Sequence, residues 1–153
     1  MSITNPERIA CSSDGSVVYV THDFGTVAKS TDYGVTFIEL SLTILTNSGA
    51  VACSGDGSIV YVVEWSTNSS DDAGRLYKSI DSGVSFTDMG KPAGPANSPE
   101  SITCSADGTI VYVADFSDGI IYKSVNSGVS FVATTAERVA IFPKGIWCSP
   151  DGV

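Results

Sequence analysis

The sequence predicts an all-β fold made of β-propeller blades, and two observations lead to that prediction. The first is a phrase that occurs three times in full, as IACSSDGSVVYV from Ile9, VACSGDGSIVYV from Val51 and ITCSADGTIVYV from Ile102, and begins again as IWCSPDGV at Ile146. The second is that each repeat holds four short β-prone segments separated by turn residues, without helical periodicity. Four antiparallel strands in a period of about 40 to 50 residues are typical of a propeller blade.

Each repeat is expected to form one blade of a single repeat domain that spans residues 1–153. The repeats place the blades at about 7–45, 49–92 and 100–137, and 145–153 is the start of a fourth repeat and supplies an extra first strand. Three blades are fewer than the roughly four to eight of a closed propeller, so we expect another chain or missing sequence to complete the ring. Two copies would give a six-blade homo-oligomeric ring, or chains could exchange strands through residues 145–153.

The four strands of a repeat follow from its local sequence. The first strand, RIACS in the first repeat, ends at a Ser-x-Asp-Gly turn, in which Asp14 can bond nearby backbone amides and Gly15 can adopt a positive φ. The second strand, SVVYV, has apolar residues on both faces and is therefore expected to be central and buried. The third strand is GTVAKS and the fourth is VTFIEL, and the later repeats carry the same pattern.

A second phrase links the third and fourth strands, as KSTDYGVTF from Lys29, KSIDSGVSF from Lys78 and KSVNSGVSF from Lys123. It resembles the Asp box of bacterial-neuraminidase-type (BNR) repeats, which occur in β-propellers of the sialidase and sortilin-like superfamily. The resemblance implies a structural hairpin on the rim of each blade. Its residues are Ser30, Asp32, Gly34 and Phe37; Ser79, Asp81, Gly83 and Phe86; and Ser124, Asn126, Gly128 and Phe131. An asparagine can accept hydrogen bonds but is a poor catalytic acid, so Asn126 favours a structural role for this position.

The charge and hydropathy of the chain exclude some classes of partner. Eight Lys and Arg residues stand against 17 Asp and Glu residues, a formal net charge of -9 at pH 7 that disfavours nucleic-acid binding. No run of about 18 apolar residues is present, which predicts no membrane insertion. The chain as given has no signal peptide by its N-terminal pattern. We expect a soluble protein. An extracellular or virion-associated location is compatible with the sequence, which specifies none.

No residue is predicted to be catalytic and no metal site is predicted. The resemblance implies that a sialidase would need an arginine cluster for the substrate carboxylate, whereas the sequence has only Arg8, Arg75 and Arg138. The single histidine, His22, is interpreted as a solvated loop residue. The four cysteines, Cys11, Cys53, Cys104 and Cys148, occupy the same place in successive repeats, so we interpret them as small buried residues near the axis rather than as zinc ligands. A disulfide between neighbouring first strands is the alternative.

The loops after the second strands differ most between repeats, and we expect a ligand to bind there. The aligned residue pairs in these loops are His22 and Asp23, Glu64 and Trp65, and Asp115 and Phe116. Aromatic rings beside carboxylates suit a glycan, and a tryptophan anchor equally suits a protein partner. No cofactor is expected. Asp71, Asp72 and Asp118 could supply oxygen ligands to Ca²⁺, but their spacing is not a calcium motif.

The sequence therefore favours a non-enzymatic binding or structural-assembly module, either lectin-like or part of a viral or cell-surface assembly. A protein-recognising assembly factor or scaffold is the second hypothesis, because loop aromatics also anchor protein partners. A sialidase-like glycosidase is the third and least supported. The fold by itself does not choose among these functions.

Overall fold

The chain is all-β in a computed structural model that describes residues 3–22, 25–40, 49–64, 74–92, 98–134 and 145–152. These residues form three four-stranded antiparallel sheets in which neighbouring strands follow the order of the chain. No described helix is long and apolar enough to cross a membrane. Each sheet is one blade of a β-propeller, which confirms the predicted fold class.

The twelve strands are short. Blade 1 contains β1 (Pro6–Cys11), β2 (Val18–His22), β3 (Thr26–Ser30) and β4 (Ile38–Glu39). Blade 2 contains β5 (Val51–Cys53), β6 (Val60–Val63), β7 (Leu76–Ser79) and β8 (Thr87–Asp88). Blade 3 contains β9 (Pro99–Cys104), β10 (Val111–Asp115), β11 (Ile121–Ser124) and β12 (Val132–Ala133).

The second strand of each blade is central, as the two-sided apolar pattern predicts. All five residues of β2 and all four of β6 are buried. The fourth strands are shorter than predicted, since only two residues of VTFIEL, Ile38 and Glu39, pair with β3. The reason lies in the preceding turn, where the Thr36 amide donates to the Asp32 carboxylate at 2.8 Å instead of joining the ladder.

Successive blades pack face to face through two apolar clusters. We call the side of a blade that packs on the following blade its forward face, and the opposite side its backward face. Forward-face residues include Tyr19 and Val27 in blade 1, Tyr61 and Leu76 in blade 2, and Tyr112 and Ile121 in blade 3. Backward-face residues include Ile9 in blade 1, Val51, Val60 and Val62 in blade 2, and Ile102, Val111 and Val113 in blade 3. Burial of these side chains between blades 1 and 2 and between blades 2 and 3 supplies the apolar stabilisation of the stack, whereas Ile9 of blade 1 is 70% exposed.

The Ser-x-Asp-Gly turns between the first and second strands have one repeated structure. In blade 1, Ser12 Oγ donates to Asp14 Oδ1 at 2.6 Å and accepts from the Val17 amide at 3.0 Å. Asp14 also accepts from the Ser16 amide at 3.0 Å. These hydrogen bonds hold the pKa of Asp14 down at about 2, with the Ser12 hydroxyl as the largest cause. Because Val17 bonds to the turn, the ladder of β2 begins one residue later, at Val18.

The turns between the third and fourth strands are also alike in all three blades. In blade 1, Ser30 Oγ donates to Asp32 Oδ1 at 2.7 Å and accepts from the Gly34 amide at 2.9 Å. Thr36 Oγ1 donates to Asp32 Oδ2 at 2.6 Å, and this bond is the largest reason that the pKa of Asp32 falls to about 2. Tyr33 and Gly34 both have positive φ, 61° and 83°. The turn is therefore held by side-chain acceptors and by a backbone conformation that favours glycine.

Hydrogen bonds also run from each blade to the next in one direction. The residue between Ser and Asp in each Ser-x-Asp-Gly turn donates its amide to the carbonyl of the equivalent residue in the following turn. The distance is 2.7 Å each time, from Ser13 to Gly55, from Gly55 to Ala106 and from Ala106 to Pro150. The buried hydroxyls of Tyr19 and Tyr61 donate to the Gly57 and Gly108 carbonyls at 2.8 and 2.7 Å. The interface between blades is thus both apolar and hydrogen-bonded.

The cysteines are less buried than predicted. Cys11 is exposed, because it lies on the backward face of blade 1, where no described blade packs; Cys53, Cys104 and Cys148 are half-buried. Burial raises the pKa of the Cys53 and Cys104 thiols to about 12, so both are protonated and weakly nucleophilic at neutral pH.

Candidate functional site

The ends of the second strands bring the predicted ligand-binding residues to one edge of the blades. His22 and Asp115 are the last residues of β2 and β10, and Glu64 directly follows β6. All three side chains are buried. Asp23 and Trp65 lie outside the described residues. Phe116 is 37% exposed and is the aromatic residue that the structure describes at this edge.

His22 is not a solvated loop residue, and that interpretation is wrong. It closes β2, pairs with Thr26 of β3, and is buried. Thr26 Oγ1 donates to the His22 carbonyl at 2.7 Å and lies 3.2 Å from His22 Nδ1. The β-hairpin register brings this hydroxyl to the imidazole. No apolar signal in the sequence pointed to this burial, since the polar Thr21 and His22 follow the apolar run.

Asp115 holds the loop between β10 and β11. Its Oδ1 accepts from the Ser117 amide at 2.8 Å and from Ser117 Oγ at 2.6 Å, and its Oδ2 accepts from the Ser98 amide at 3.1 Å. The Phe116 amide donates to the Ser98 carbonyl at 2.8 Å. The carboxylate therefore ties this loop to the segment that enters β9, a structural task similar to that of the repeated turn aspartates.

Asp118 in the same loop makes a second local network. Its Oδ2 accepts from the Tyr122 hydroxyl at 2.6 Å, and its Oδ1 accepts from the Ile120 amide at 2.9 Å. Burial, followed by this hydrogen bond to Asp118, raises the pKa of Tyr122 to about 12. Asp71 and Asp72, the other predicted Ca²⁺ ligands, lie outside the described residues. Within the described ranges, no group of three or more His, Cys, Asp or Glu side chains could hold a metal ion.

Glu64 follows β6 and is positioned by the backbone of the neighbouring strand. Its amide donates to the Arg75 carbonyl at 2.8 Å, which continues the pairing between β6 and β7 by one residue. The Arg75 guanidinium forms an ion pair with Asp88 at the edge of blade 2. His22, Glu64 and Asp115 thus occupy one repeated structural position, and among the described residues of this edge Phe116 is exposed.

A second surface feature was not predicted as a site from the sequence. A groove of about 500 Å³ lies between the forward face of blade 3 and the start of the fourth repeat. Tyr112 and Ile121 of blade 3 line one side, and Ile146, Trp147 and Cys148 line the other.

Comparisons with known proteins show the fold. No protein-family model and no curated protein matches the chain. Among solved structures, a GH74 enzyme of Niastella koreensis is 24% identical with a TM-score of 0.69, and the match covers 98% of this chain and 20% of that one. YCF48 bound to D1 peptide is 16% identical with a TM-score of 0.70, covering 92% and 43%. A chain of the nidogen/laminin complex is 17% identical with a TM-score of 0.70, covering 92% and 51%.

These structures are β-propellers, and the chain is similar to part of each. It spans between a fifth and about half of the length of the solved chains that it matches. They include enzymes as well as binding and assembly proteins, so the likeness fits a binding role only in a coarse sense.

Proposed function

We propose that this chain is a non-enzymatic binding module built of Asp-box propeller blades and that it works within a larger binding or structural assembly. The observation that carries the proposal is that the repeated carboxylates accept hydrogen bonds from their own turns. Asp14, Asp32, Asp56 and Asp81 have pKa values of about 2 for that reason. A carboxylate so strongly held in its ionised form is a poor general acid or base near neutral pH.

The third blade supports the structural role of the box. Asn126 Oδ1 accepts from Ser124 Oγ and from the Ser130 amide, both at 2.9 Å, as the aspartates of the other blades do. Its Nδ2 donates to Ser130 Oγ at 2.8 Å, so the serine hydroxyl accepts here, whereas Ser85 Oγ donates to Asp81 in blade 2. The turn survives the loss of the charge because one neutral oxygen still accepts the bonds that close it.

The site proposed for the ligand is the edge at which Phe116 is exposed. An aromatic ring held by a rigid turn offers apolar contact area at a small entropic penalty. A sugar face and a protein side chain can both use such a ring. Similarity to a GH74 xyloglucanase of Xanthomonas campestris supports a sugar ligand, and similarity to YCF48 bound to D1 peptide and to a chain of the nidogen/laminin complex supports a protein ligand. We propose the lectin-like version first and the protein-recognising scaffold second.

A glycan array and a fluorogenic sialoside assay test this proposal. We expect no hydrolysis, and binding that falls by about tenfold in Phe116→Ala and in Trp65→Ala, since an anchoring aromatic contributes over about 1 kcal/mol. Val84→Ala, a change at an exposed apolar residue in the second-phrase turn of blade 2, is the control and should bind as the parent does. Hydrolysis that disappears in Glu64→Gln would overturn the proposal, and binding only to proteins from the native source would favour the scaffold.

A further inference from the structure

We propose that the end of the blades that carries the turns is a docking surface for a protein partner whose contact segment presents both basic and aliphatic side chains. We call this surface the turn face, and we call the turn between the third and fourth strands of a blade its box turn. The turn face consists of residues 12–16 and 30–37 in blade 1, 54–58 and 79–86 in blade 2, and 105–109 and 124–131 in blade 3. It lies at the opposite end of the strands from Phe116, so this inference goes beyond the proposed function and does not depend on it.

The turn face repeats an exposed valine at one position of every described box turn. Val35, Val84 and Val129 are 78%, 79% and 68% exposed. Turns are usually built of Gly, Pro, Asn, Asp and Ser, and a side chain this exposed contributes little to the packing of its own blade. The fold of the turn therefore gives no reason for an aliphatic residue at this position, and a partner that covers it does.

A second aliphatic residue accompanies the valine in blades 2 and 3. Ile80 and Val125 are exposed, and each lies four residues before the valine of its own turn. The turn of blade 2 folds the two together, since the Val84 amide donates to the carbonyl of Asp81, the residue after Ile80, at 3.3 Å. Each of these blades thus presents a pair of aliphatic side chains to the solvent.

Hydrogen bonds between blades hold the box turns in one row. The Lys29 amine of blade 1 donates to the Ser82 carbonyl in the box turn of blade 2 at 2.9 Å. The Lys78 amine of blade 2 donates to the Ser127 carbonyl in the box turn of blade 3 at 3.2 Å. The valines therefore recur at a spacing that the stack fixes, and they form a repeated apolar surface rather than scattered single residues.

The middle blade shows that this exposure belongs to the turn face itself. Blade 2 packs on blade 1 through one side of its sheet and on blade 3 through the other. Its box turn also lies against blade 1, because a Cβ on Gly83 would lie 2.6 Å from Leu40. Ile80 and Val84 remain exposed with both neighbouring blades in place, so further blades beside blades 1 and 3 would not cover them.

Ionised carboxylates lie on the same face as the aliphatic residues. In blade 2, serine hydroxyls of the same turns are the largest reason that the pKa values of Asp56 and Asp81 are about 2, so both carboxylates are charged at neutral pH. The two turns are joined, because the Ser82 amide donates to the Ser58 carbonyl at 2.8 Å. The amine of Lys78 is already bonded to a backbone carbonyl of blade 3. Blade 2 therefore offers two carboxylates beside its aliphatic pair.

The charge of the turn face decides which partner suits it. Hydrogen bonds from turn hydroxyls likewise lower the pKa values of Asp14 and Asp32 to about 2, and they lower that of Asp107. A second copy of this chain would bring like charges together, and an anionic membrane surface would be repelled. A protein segment that places aliphatic side chains on the valines and Lys or Arg beside the aspartates buries apolar area and pairs the charges at the same time.

Fluorescence anisotropy of the full chain with three designed peptides tests the proposal. The probe alternates lysine and leucine, and the control peptides alternate glutamate with leucine and lysine with serine. We expect the lysine and leucine peptide to bind about tenfold more tightly than either control, since each control lacks one of the two kinds of contact. Equal affinity for either control peptide would overturn the proposal. So would binding to phosphatidylcholine vesicles instead of the peptide, because the apolar row would then serve a lipid surface.

Matched isoleucines test the aliphatic row. Ile80 on the turn face is 73% exposed, and Ile9 in the middle of β1 is 70% exposed. We expect Ile80→Ser combined with Val84→Ser to weaken binding of the lysine and leucine peptide by about tenfold, and Ile9→Ser to bind as the parent does. The changed side chains are exposed, so thermal melting should show folded variants. Equal losses for the two isoleucine positions would overturn the assignment of the surface.

A single charge can be removed from the turn face without opening the turn. Asp81→Asn should keep its turn, because Asn126 Oδ1 accepts from the Ser130 amide at 2.9 Å in blade 3. We expect it to weaken binding of the lysine and leucine peptide about threefold and to make binding less sensitive to salt. Glu7→Gln removes one exposed charge at the start of β1, at the other end of the strands, and should leave binding unchanged. Equal losses in the two variants would show a response to net charge alone and would overturn the proposal. Glycan binding and hydrolysis enter none of these assays, so their outcomes leave the proposed function to its own test.

Discussion

Removing the hydroxyl of Tyr61 should destabilise the whole stack of blades. Tyr61 is fully buried, and its hydroxyl donates to the Gly108 carbonyl of blade 3 at 2.7 Å. Tyr61→Phe keeps the ring and leaves a buried carbonyl without its donor, which costs about 1–3 kcal/mol. For a chain of this length, each kcal/mol lowers the melting temperature by about 2–4 °C. We therefore expect Tyr61→Phe to melt about 2–12 °C below the parent.

Tyr112→Phe is the matched control. Its hydroxyl donates to the Gly152 carbonyl at 3.0 Å, in a segment outside the three blades. Loss of that bond should release residues 145–152 locally and leave the main transition within about 1 °C, because local opening does not require global unfolding. Both variants would be measured by thermal and urea denaturation. Equal losses for the two would refute the argument that the tyrosine bond holds blades together.

The loss of folding stability at alkaline pH tests the role of Tyr61 independently. Burial raises the pKa of Tyr61 to about 12, above its ordinary value of 10.0. A group with a raised folded-state pKa contributes stability that is full below pH 10 and is lost as the pH rises towards 12. Tyr61→Phe should therefore lose less stability between pH 10 and 12 than the parent does. A variant that loses as much would show that the hydroxyl does not ionise on unfolding in that range.

Three further changes test the turns. Asp32→Asn should keep the fold, because Asn126 closes the equivalent turn of blade 3. Gly34→Val should lower the melting temperature strongly or prevent folding, since the φ of Gly34 is 83°. Circular dichroism would show both results. Gly15→Ala should lower the free energy of unfolding by about 1–2 kcal/mol through backbone strain alone. Gly108→Ala should lower it further, because a Cβ there would also lie 2.9 Å from Ile59. Equal urea midpoints for the two variants would contradict this. The lowered pKa values of Asp32 and Asp81 mean that their contribution is full above about pH 4 and lost as the pH falls towards 2, so a double Asn variant should show a flatter acid limb.

The sequence predicted the blades because local and tertiary signals agree in this repeat. The alternation of β-prone runs with Ser-x-Asp-Gly and box turns defines each strand, and side-chain oxygens close the turns within five residues of sequence. Such short-range hydrogen bonds are readable from spacing alone. The same bonds explain the errors at strand ends, since Val17 and Thr36 were assigned to strands and their amides bind turn oxygens instead.

The candidate site was harder to predict because burial depends on partners distant in sequence. His22, Glu64 and Asp115 look polar and loop-like, yet all three are buried. Thr26 of the hairpin partner lies against His22, and the segment that enters β9 of the same blade bonds to Asp115. Cys11 shows the opposite error, since it matches Cys53 and Cys104 in sequence and is exposed. A repeat sequence encodes what each position contacts inside a stack, and only the structure shows which face of blade 1 lacks a described neighbour.

Complementary faces follow directly from repetition of this phrase. Every repeat carries its donors, the turn amide, the tyrosine hydroxyl and the lysine amine, on the forward face, and its acceptor carbonyls on the backward face. The contacts between blades 1 and 2 are therefore repeated between blades 2 and 3. Pro150 accepts from the Ala106 amide, but a proline has no amide hydrogen, so it cannot donate as Ser13, Gly55 and Ala106 do.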